Sequence, residues 1–334
     1  IINSFAVSST GAIDFLNWNY SDAWVRSASG MPILNALVKT ITVTALNISK
    51  TYDGLAYTGN KAVNYAGADK NYLSGTLVYS GSSASATNAG SYVITPGGLV
   101  SSNPQYVVSY VNGVLNIAKA PLTLNAVTAS KTYDGTTGST GAVQVTGLAG
   151  TDSLSGLSQS YLSKNVLGTN ASTLQVNTGF VIQDGNAGAN YTVLSATALG
   201  SITQRELSVI ATGVNKTYDG NTVANVSYSD NRISGDVFTV NQAAASFSDK
   251  NIGINKVIAI TGINTTGTDA GNYKMGSSSL AATADINRLA AVSWTGGDSG
   301  NWFDAANWAG GAVPDLANVA NVTIAANVNV VFNN

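Results

Sequence analysis

The sequence has no cysteine and no histidine, and its 334 residues include a single glutamate, Glu206. Without cysteine there is no disulfide framework and no thiolate metal cage, and without histidine there is no Ser-His-Asp triad and no imidazole ligand. A single glutamate also excludes a glycosidase that works through two glutamates. Because these absences remove most catalytic repertoires, we expect a protein that is not an enzyme and that holds no cofactor.

Charge is scarce as well. Only 10% of the residues are charged, and 15 Lys and Arg against 17 Asp and Glu leave a net charge of -2. The basic residues are scattered singly, so no polybasic stripe is available for phosphates or anionic lipid. There is also no signal peptide and no apolar run long enough for a membrane helix. We expect no nucleic-acid partner, no membrane insertion and, since the chain begins with Ile1, an internal fragment of a longer protein.

One pentapeptide, Lys-Thr-Tyr-Asp-Gly, occurs three times. The copies begin at Lys50, Lys131 and Lys216, which are 81 and 85 residues apart (131 − 50 = 81; 216 − 131 = 85). Three identical pentapeptides at domain-sized spacing indicate tandem repeats. Alternation of apolar and polar residues, typical of a half-buried strand, precedes each copy, with apolar positions at Ile41, Val43 and Ala45, at Leu122, Leu124 and Ala126, and at Leu207, Val209 and Ala211.

Each copy continues in the same way. A turn rich in Gly and Asn leads to a tyrosine (Tyr92, Tyr191 or Tyr273), and the copy closes on a strand centred on Ile117, Ile202 or Ile286. Units of this size, made of short strands between turns, are typical of immunoglobulin-like β-sandwiches. We therefore predict an all-β chain of tandem sandwiches flanked by β-helix-like end segments in an elongated rod, with boundaries at 1–38, 39–120, 121–205, 206–288 and 289–334.

The pentapeptide after an alternating strand resembles the YDG domain. The first copy, which ends with the run 106–117 (YVVSYVNGVLNI), is similar to the mostly bacterial immunoglobulin-like (MBG) domain. The resemblance implies a repeat region of a filamentous-haemagglutinin-type surface adhesin of Gram-negative bacteria, exported by two-partner secretion. It implies a secreted protein at the cell surface or in the biofilm matrix, with an outer-membrane secretion partner for the full-length protein, and it carries no catalytic residues.

The two ends differ from the repeats, and all five Trp lie there. Residues 12–37 resemble the segment that closes GLUG-type repeats in such adhesins. The tail, with the motifs 294–297 (WTGG) and 300–302 (GNW), resembles an opening motif of extracellular β-helical passenger segments. The resemblance therefore implies β-helical structure on both sides of the sandwiches.

The pentapeptide residues are interpreted first as structural. Each Tyr would close the end of a sandwich with its hydroxyl bonded to backbone, each Asp-Gly would form an Asx-stabilised turn, and each Lys would be exposed to solvent. A sugar site is the alternative, because a Tyr beside a carboxylate often holds a sugar. The positions concerned are Lys50, Tyr52, Asp53 and Gly54, Lys131, Tyr133, Asp134 and Gly135, and Lys216, Tyr218, Asp219 and Gly220.

Two further readings stay open for the charged residues. Calcium would need Asp269 to approach Asp249, or Asp230 to approach Asp236, although the D-x-D-x-D loop of a calcium site is absent. A pentapeptide lysine buried beside Asn or Asp would instead form an intramolecular isopeptide bond, which intact mass would reveal. No metal site is assigned.

Tryptophan is the strongest candidate for ligand binding. Exposed Trp rings stack on sugars, so Trp18, Trp24, Trp302 and Trp308 are candidate carbohydrate-binding residues, although a buried structural role is the favoured interpretation because aromatic side chains are mostly packed. The family resemblance, by contrast, implies a non-catalytic stalk and adhesion region for cell–cell or cell–surface attachment and biofilm formation. The competing hypothesis is a module that binds an exopolysaccharide or a host glycan, and an enzyme acting through two Asp is a third class.

Overall fold

The computed structural model describes residues 6–7, 13–14, 24–26, 32–34, 38–59, 62–67 and 69–333. Within these residues the chain is nearly all β, with short 3-10 turns and no α-helix. The predicted all-β class with β-sandwich architecture is confirmed. No helix in the described ranges has the length and apolar character needed to cross a membrane. Trp18 and most of the GLUG-like segment 12–37 lie outside the described residues.

The strands are short and follow one another closely. They are, in chain order, β1 (Ala6–Val7), β2 (Ile13–Asp14), β3 (Trp24–Arg26), β4 (Pro32–Leu34), β5 (Lys39–Ala45), β6 (Ile48–Thr51), β7 (Val63–Gly67), β8 (Leu73–Ser80), β9 (Gly90–Ser101), β10 (Tyr106–Val111), β11 (Gly113–Ala118), β12 (Ala120–Asn125), β13 (Ser130–Thr132), β14 (Gln144–Thr146), β15 (Ser153–Ser155), β16 (Gln159–Tyr161), β17 (Ser172–Val176), β18 (Val181–Gln183), β19 (Tyr191–Ala196), β20 (Ala198–Thr203), β21 (Arg205–Leu207), β22 (Val209–Val214), β23 (Lys216–Thr217), β24 (Asn225–Asp230), β25 (Thr239–Asn241), β26 (Ala244–Phe247), β27 (Gly253–Thr261), β28 (Asn264–Thr266), β29 (Tyr273–Met275), β30 (Ser279–Asn287), β31 (Val292–Ser293), β32 (Ser299–Asn301), β33 (Val322–Thr323) and β34 (Asn329–Val331). The 3-10 turns are Lys70–Tyr72, Ala270–Asn272, Ala305–Asn307 and Ala309–Gly311.

The chain folds into two compact units, and the limits between them fall inside the second repeat. The first unit takes the described residues up to Val127, together with Ala142–Gln159 and Val176–Thr197. The second unit takes Thr128–Gly141, Ser160–Gln175 and the chain from Ala198 onward. The strands of the second repeat are therefore shared between two units, although the sequence repeat itself is continuous.

The described part of the first unit has three sheets of three or four strands, one further two-stranded sheet and two hairpins at its beginning. The sheets have strand orders β10-β5-β7, β6-β11-β9-β8, β14-β12-β19 and β15-β18, and the hairpins are β1-β2 and β3-β4. Period-two alternation explains the core, because Ile41 and Val43 in β5, and Leu122 and Leu124 in β12, are all fully buried on one face.

The second unit repeats this pattern. Its sheets have orders β13-β20-β17-β16, β21-β29, β22-β24, β23-β30-β27-β26 and β25-β28, and its tail pairs β31 with β33 and β32 with β34. Its core includes Ile258, Ile260 and Ile286, with Trp308 and Val319 of the tail packed in the same cluster.

The pentapeptide strand has the same register in all three copies. It pairs in parallel with the closing strand, so that Lys50 lies opposite Ile117, Lys131 opposite Ile202 and Lys216 opposite Ile286. The backbone N–H of the following tyrosine then donates to a carbonyl of the closing strand at 2.8 to 2.9 Å, from Tyr52 to Ala118, from Tyr133 to Thr203 and from Tyr218 to Asn287. The predicted closing strands centred on Ile117, Ile202 and Ile286 are therefore present, as β11, β20 and β30.

The tail pairs with itself at a constant offset. Leu289 lies opposite Val319, Val292 opposite Val322 and Ser299 opposite Asn329, each pair in parallel and 30 residues apart (319 − 289, 322 − 292 and 329 − 299 are each 30). Parallel return at a fixed interval is how coils of a β-helix stack.

Candidate functional site

The pentapeptide builds a compact turn around its lysine. In the second copy, Lys131 Nζ lies 2.7 Å from Asp134 Oδ1 and donates to the carbonyl oxygen of Thr136 at 2.7 Å. The backbone N–H of Thr136 in turn donates to Asp134 Oδ1 at 2.9 Å, which is the predicted Asx turn. The other copies make the same contacts, with Lys–Asp distances of 2.8 Å at Lys50 and at Lys216.

Solvent exposure of these lysines, as predicted from the sequence, is wrong. Their side chains are only 14 to 22% exposed, because each ammonium reaches back under its own turn to bind the aspartate. The hydrogen bond from Lys50 holds the pKa of Asp53 below its usual range. At Asp134 and Asp219 burial acts the other way, but the lysine and backbone hydrogen bonds still lower the pKa.

The backbone conformation favours glycine in all three pentapeptides, and close contact adds a second reason at Gly135 and Gly220. Gly54, Gly135 and Gly220 have φ of +76°, +75° and +77°, a left-handed conformation that residues with a Cβ rarely adopt. Each also lies against a residue that follows in the chain. A Cβ at Gly135 would come within 2.9 Å of Ile233 Cγ2, and one at Gly54 within 3.5 Å of Gly150 Cα.

The tyrosine of the first copy reaches into the second repeat. Tyr52 is buried, and its hydroxyl donates to Asp152 Oδ2 at 3.0 Å. Tyr191 donates to the same oxygen, and the two rings meet edge to face with centroids 5.4 Å apart. The backbone N–H of Ala149 donates to the Tyr191 hydroxyl at 2.8 Å. A carboxylate thus joins two phenols from successive repeats.

The tyrosine of the second copy makes the same arrangement with the third repeat. Tyr133 and Tyr273 donate to the buried carboxylate of Asp236 at 2.9 and 2.6 Å, and their ring centroids are 5.5 Å apart. The backbone N–H of Ile233 donates to the Tyr273 hydroxyl at 2.8 Å. One cation is added here, because Lys164 Nζ lies 2.9 Å from Asp236 Oδ1. We call these two arrangements the tyrosine–carboxylate joints.

The joints shift the ionisation of their members. Burial, with the hydrogen bond to the carboxylate, raises the pKa of Tyr191 and of Tyr273 to about 12. Although burial alone would raise the pKa of Asp236, the hydrogen bonds from Tyr273, Lys164 and Tyr133 lower it. Hydrogen bonds to Asp236 and Tyr133 raise the pKa of Lys164. The joint at Asp236 therefore favours a charged carboxylate between neutral phenols.

The third copy departs from this pattern. The Tyr218 hydroxyl donates to the backbone carbonyl oxygen of Val313 at 3.2 Å, in the tail. The prediction that each hydroxyl bonds to backbone is therefore correct only for Tyr218. At Tyr52 and Tyr133 the partner is a carboxylate of the next repeat, which no local pattern around the pentapeptide indicates.

An asparagine contact accompanies each tyrosine–carboxylate joint. In the first unit, Asn190 Oδ1 accepts the N–H of Ala89 at 2.8 Å, and its Nδ2 donates to Asn88 Oδ1 at 3.1 Å. In the second unit, Asn272 makes the same two bonds with Val166 and Asn165, at 2.8 and 3.1 Å. Asn190 and Asn272 are almost completely buried, so both ends of each amide are satisfied within the protein.

The sequence analysis did not identify the partners of the pentapeptide tyrosines. The sequence indicates Tyr191 and Tyr273 only as part of a recurring turn and Asp236 only as a calcium candidate with Asp230, and it does not single out Asp152. A signal was present, because an aspartate follows the pentapeptide aspartate by 18 residues at Asp152 and by 17 at Asp236 (152 − 134 = 18; 236 − 219 = 17). The similar spacing of these two aspartates from the pentapeptide therefore points to the partners of the tyrosines, which composition does not.

The tryptophan candidates fall into different environments. Trp24 lies in β3 and is 36% exposed. Trp302 and Trp308 pack edge to face with centroids 4.8 Å apart, and the Trp308 indole N–H donates to the Trp302 carbonyl oxygen at 2.7 Å. Trp308 is 2% exposed, so burial leaves no free ring face for a sugar, and the assignment of Trp308 as a direct ligand contact is not supported.

Trp302 instead belongs to an exposed aromatic group. Its ring stacks on Phe332 with centroids 5.0 Å apart, and Phe303 meets Phe332 edge to face. Phe303 is 46% and Phe332 65% exposed. We call Trp302, Phe303 and Phe332 the tail aromatic patch. Of these three residues, only Trp302 is a candidate carbohydrate-binding residue from the sequence.

The aspartates considered for calcium face cations instead. Asp236 and Asp269 lie 2.9 and 3.7 Å from Lys164, and Asp230 pairs with Arg232 at 2.6 Å. Asp249 pairs with Lys256. Over the described ranges, no three acidic side chains come together as a metal ion would require. The pentapeptide lysines likewise lie at ion-pair distance from their aspartates.

Comparison with known proteins gives one family match. Residues 118–198 and 203–282 match the YDG domain. No curated protein matches the chain. The crystal structure of Drosophila N-cadherin EC1-4 has 7% sequence identity, covers 79% of this chain and 80% of its own, and gives a TM-score of 0.19, which is too low to support any argument. The two YDG matches support the placement of this repeat array in the YDG/MBG repeat family.

Proposed function

We propose that this chain is a non-catalytic stalk and adhesion region of a large secreted bacterial surface adhesin, involved in cell–cell or cell–surface attachment and in biofilm formation. The observation that carries the proposal is the repeated tyrosine–carboxylate joint, which ties one repeat to the next at Asp152 and again at Asp236. The YDG matches add support, because this repeat family is often found in adhesin-like proteins. The function we propose is mechanical.

A joint of this kind suits a protein under load. Each carboxylate, buried at Asp236 and half-buried at Asp152, accepts hydrogen bonds from two phenols, and hydrogen bonds to a charged group contribute about 1.5–3 kcal/mol each. Separating two repeats would break the hydrogen bond from the pentapeptide tyrosine to this carboxylate and would expose the two packed rings to water. Resistance to separation is therefore concentrated at the boundary between repeats.

The proposal includes a location and partners. We place the full-length protein outside the cell, at the surface or in the biofilm matrix, delivered by an outer-membrane secretion partner. We assign it no nucleic-acid partner and no insertion into a membrane. Few charges and many Ser, Thr and Asn suit an extended secreted region that stays soluble.

Adhesion is tested by displaying the full chain on cells that do not otherwise aggregate, with the display anchor alone as control. We expect displaying cells to aggregate or attach to surfaces more than control cells, or to hold a fused binding head farther from the cell. A chain that does neither, although it is folded and displayed at equal density, would rule out both the adhesive and the stalk role.

The second candidate function is carbohydrate binding by the tail aromatic patch. The exposed rings of Phe303 and Phe332 lie beside the half-buried ring of Trp302 and form the kind of apolar platform that stacks on sugar rings. Trp24 is a further exposed aromatic. Binding of the purified chain to a panel of bacterial exopolysaccharides and host glycans distinguishes the two functions.

The matched variants are Phe332→Ala and Tyr65→Ala, because both remove an exposed ring but only Phe332 belongs to the patch. Saturable binding that is lost in Phe332→Ala and kept in Tyr65→Ala would establish the glycan function. Trp24→Ala tests the other exposed tryptophan in the same assay. Absence of binding to every glycan would leave the stalk function alone.

A further inference from the structure

The third repeat ends in the same receptor surface as the first two. In each repeat this surface consists of the pentapeptide tyrosine, an asparagine and the backbone N–H that follows it, and we call it the socket. The sockets are Tyr52, Asn88 and Ala89, then Tyr133, Asn165 and Val166, and then Tyr218, Asn251 and Ile252. The first two receive the following repeat, whereas the third faces the tail, which lies outside the YDG matches.

The tail fills the third socket with an asparagine of its own. Asn318 Oδ1 accepts the N–H of Ile252 at 2.8 Å, and Asn318 Nδ2 donates to Asn251 Oδ1 at 3.1 Å. These are the same two bonds, at the same distances, that Asn190 and Asn272 make in the other sockets. Asn318 is 2% exposed.

The loop that carries Asn318 matches the loop that carries Asn272. In each, an aspartate precedes the asparagine by three residues, and the asparagine N–H donates to the aspartate carbonyl, at 3.2 Å from Asp315 and 3.0 Å from Asp269. In each, the next residue enters a parallel pair, Val319 with Leu289 and Tyr273 with Arg205. The loop of Asn190 also leads into a parallel pair, Tyr191 with Ala120, although its aspartate, Asp184, lies six residues earlier. We call this element, a buried asparagine directly ahead of a parallel pair, the plug loop.

The third pentapeptide also has a close contact between its glycine and the segment that follows the repeat. A Cβ on Gly220 would come within 3.3 Å of Ala312 Cα, so the turn of the third pentapeptide lies directly against the tail. Tyr218 donates to Val313 in the same region. The tail therefore contacts both parts of the socket, its tyrosine side and its asparagine side.

We propose that the socket is a general docking surface for a plug loop, whatever fold that loop belongs to, and that residues 289–334 attach to the third repeat through Asp315–Val319. The partner is thus defined by chemistry: a buried asparagine that offers one amide oxygen and one amide N–H. An aspartate of the same loop accepts its backbone N–H, three residues earlier at Asn272 and Asn318 and six residues earlier at Asn190. This proposal does not depend on adhesion, since it concerns how unlike modules are joined.

The proposal also assigns a direction. The first repeat has Gln105 where the later modules have asparagine, since the Gln105 carbonyl accepts the Lys39 N–H as the Asn190 carbonyl accepts that of Ala120. Gln105 is exposed, whereas Asn190, Asn272 and Asn318 are buried. The first repeat therefore has a socket without a plug loop, and it is built to precede a YDG repeat rather than to follow one.

Amide hydrogen exchange in the full-length chain tests the proposal, because Ile252, Val166 and Ala89 each report on one socket. In Asn318→Ala we expect exchange of the Ile252 N–H to accelerate by about 10-fold or more, the loss of one buried hydrogen bond. Val166 and Ala89 should keep their wild-type rates and show that the rest of the chain is folded. Asn272→Ala should give the converse, with Val166 accelerated and Ile252 unchanged.

Interchange of loops tests generality. Leu316→Ala with Ala317→Gly gives the tail the loop sequence of the third repeat, and Leu316 is 88% exposed, so its removal disturbs no core. We expect Ile252 exchange within about 2-fold of wild type. Two results would overturn the proposal. One is an unchanged exchange rate of the Ile252 N–H in Asn318→Ala. The other is a loss of Ile252 protection in the loop interchange that is as large as in Asn318→Ala.

Discussion

Single side chains set the strength of the joints, and Asp236 shows how. Its carboxylate is buried, and it accepts hydrogen bonds from two phenols and from Lys164. Asp152 is bonded to two phenols in the same way, but no lysine contact matches that of Lys164 among the described residues. A buried charge is tolerated when its partners satisfy it, so removal of any one partner costs more than the same bond would at the surface.

The first prediction concerns Tyr133→Phe. This change removes one donor from a buried carboxylate, so we expect the free energy of unfolding to fall by about 1–3 kcal/mol. Tyr218→Phe, whose hydroxyl serves a neutral carbonyl, should cost less, about 0.5–1.5 kcal/mol. Urea denaturation of the full chain measures both, with the exposed Tyr65→Phe as control. Equal costs for the two changes would mean that the carboxylate adds nothing.

The second prediction concerns pH. Because the pKa of Tyr191 and Tyr273 is raised from 10.0 to about 12, folding favours the neutral phenols. Their contribution to stability is complete below about pH 10 and is lost as the pH rises toward 12. The lowered pKa of Asp236 acts at the other end, where its contribution is lost as the pH falls below the ordinary aspartate range.

Spectrophotometric titration of the phenols checks the alkaline limit. We expect part of the tyrosine absorbance change to be delayed until the chain unfolds, and Tyr273→Phe to reduce that delayed part. A single titration in which all tyrosines ionise near pH 10 would contradict the shift.

At the scale of single strands, the sequence predicts much of the fold but not the tyrosine–carboxylate joints. Alternation at Ile41 and Val43 predicted a half-buried strand, and β5 is one, because period two needs only neighbouring residues. The bond from Tyr52 to Asp152 spans 100 residues, and no local pattern encodes that separation. The exposure predicted for Lys50 fails for a different reason, because its ammonium folds back onto Asp53, only three residues away, once the turn has formed.

The third prediction concerns the pentapeptide turn. Gly135→Ala places a side chain at a left-handed φ and brings its Cβ within 2.9 Å of Ile233. Gly179→Ala, at φ +96° with nothing within 4 Å of a Cβ, carries the conformational cost alone. We expect about 1–2 kcal/mol for Gly179→Ala and about 1 kcal/mol more for Gly135→Ala, measured by thermal unfolding. If the two variants are equally stable, the turn does not press against the next repeat.

Across the whole molecule, compact units and sequence repeats are two different divisions. The second repeat is one continuous YDG match, yet its strands β12, β14 and β19 belong to the first unit and β13 and β20 to the second. The joint at Tyr52 supplies a reason, because it adds strands of the second repeat to the core of the first. Stability should then follow the units.

The fourth prediction tests this division. Leu115 is fully buried in the core of the first unit, so Leu115→Ala should destabilise that unit by about 2–5 kcal/mol. Hydrogen exchange should accelerate in β12 and β19 but not in β20, within one and the same repeat. Leu174→Ala, in the second unit, is the matched control and should give the converse. Uniform acceleration across the second repeat would show that the repeat is the cooperative unit.

The two tyrosine–carboxylate joints are made of hydrogen bonds and ring contacts, in a chain without cysteine. A joint of this kind opens without the breaking of a covalent bond and re-forms without an enzyme or an oxidant. Under a sudden pull, joints could open one after another, dissipate energy and close again when the tension is released. Such joints confer recovery after overload rather than permanent rigidity.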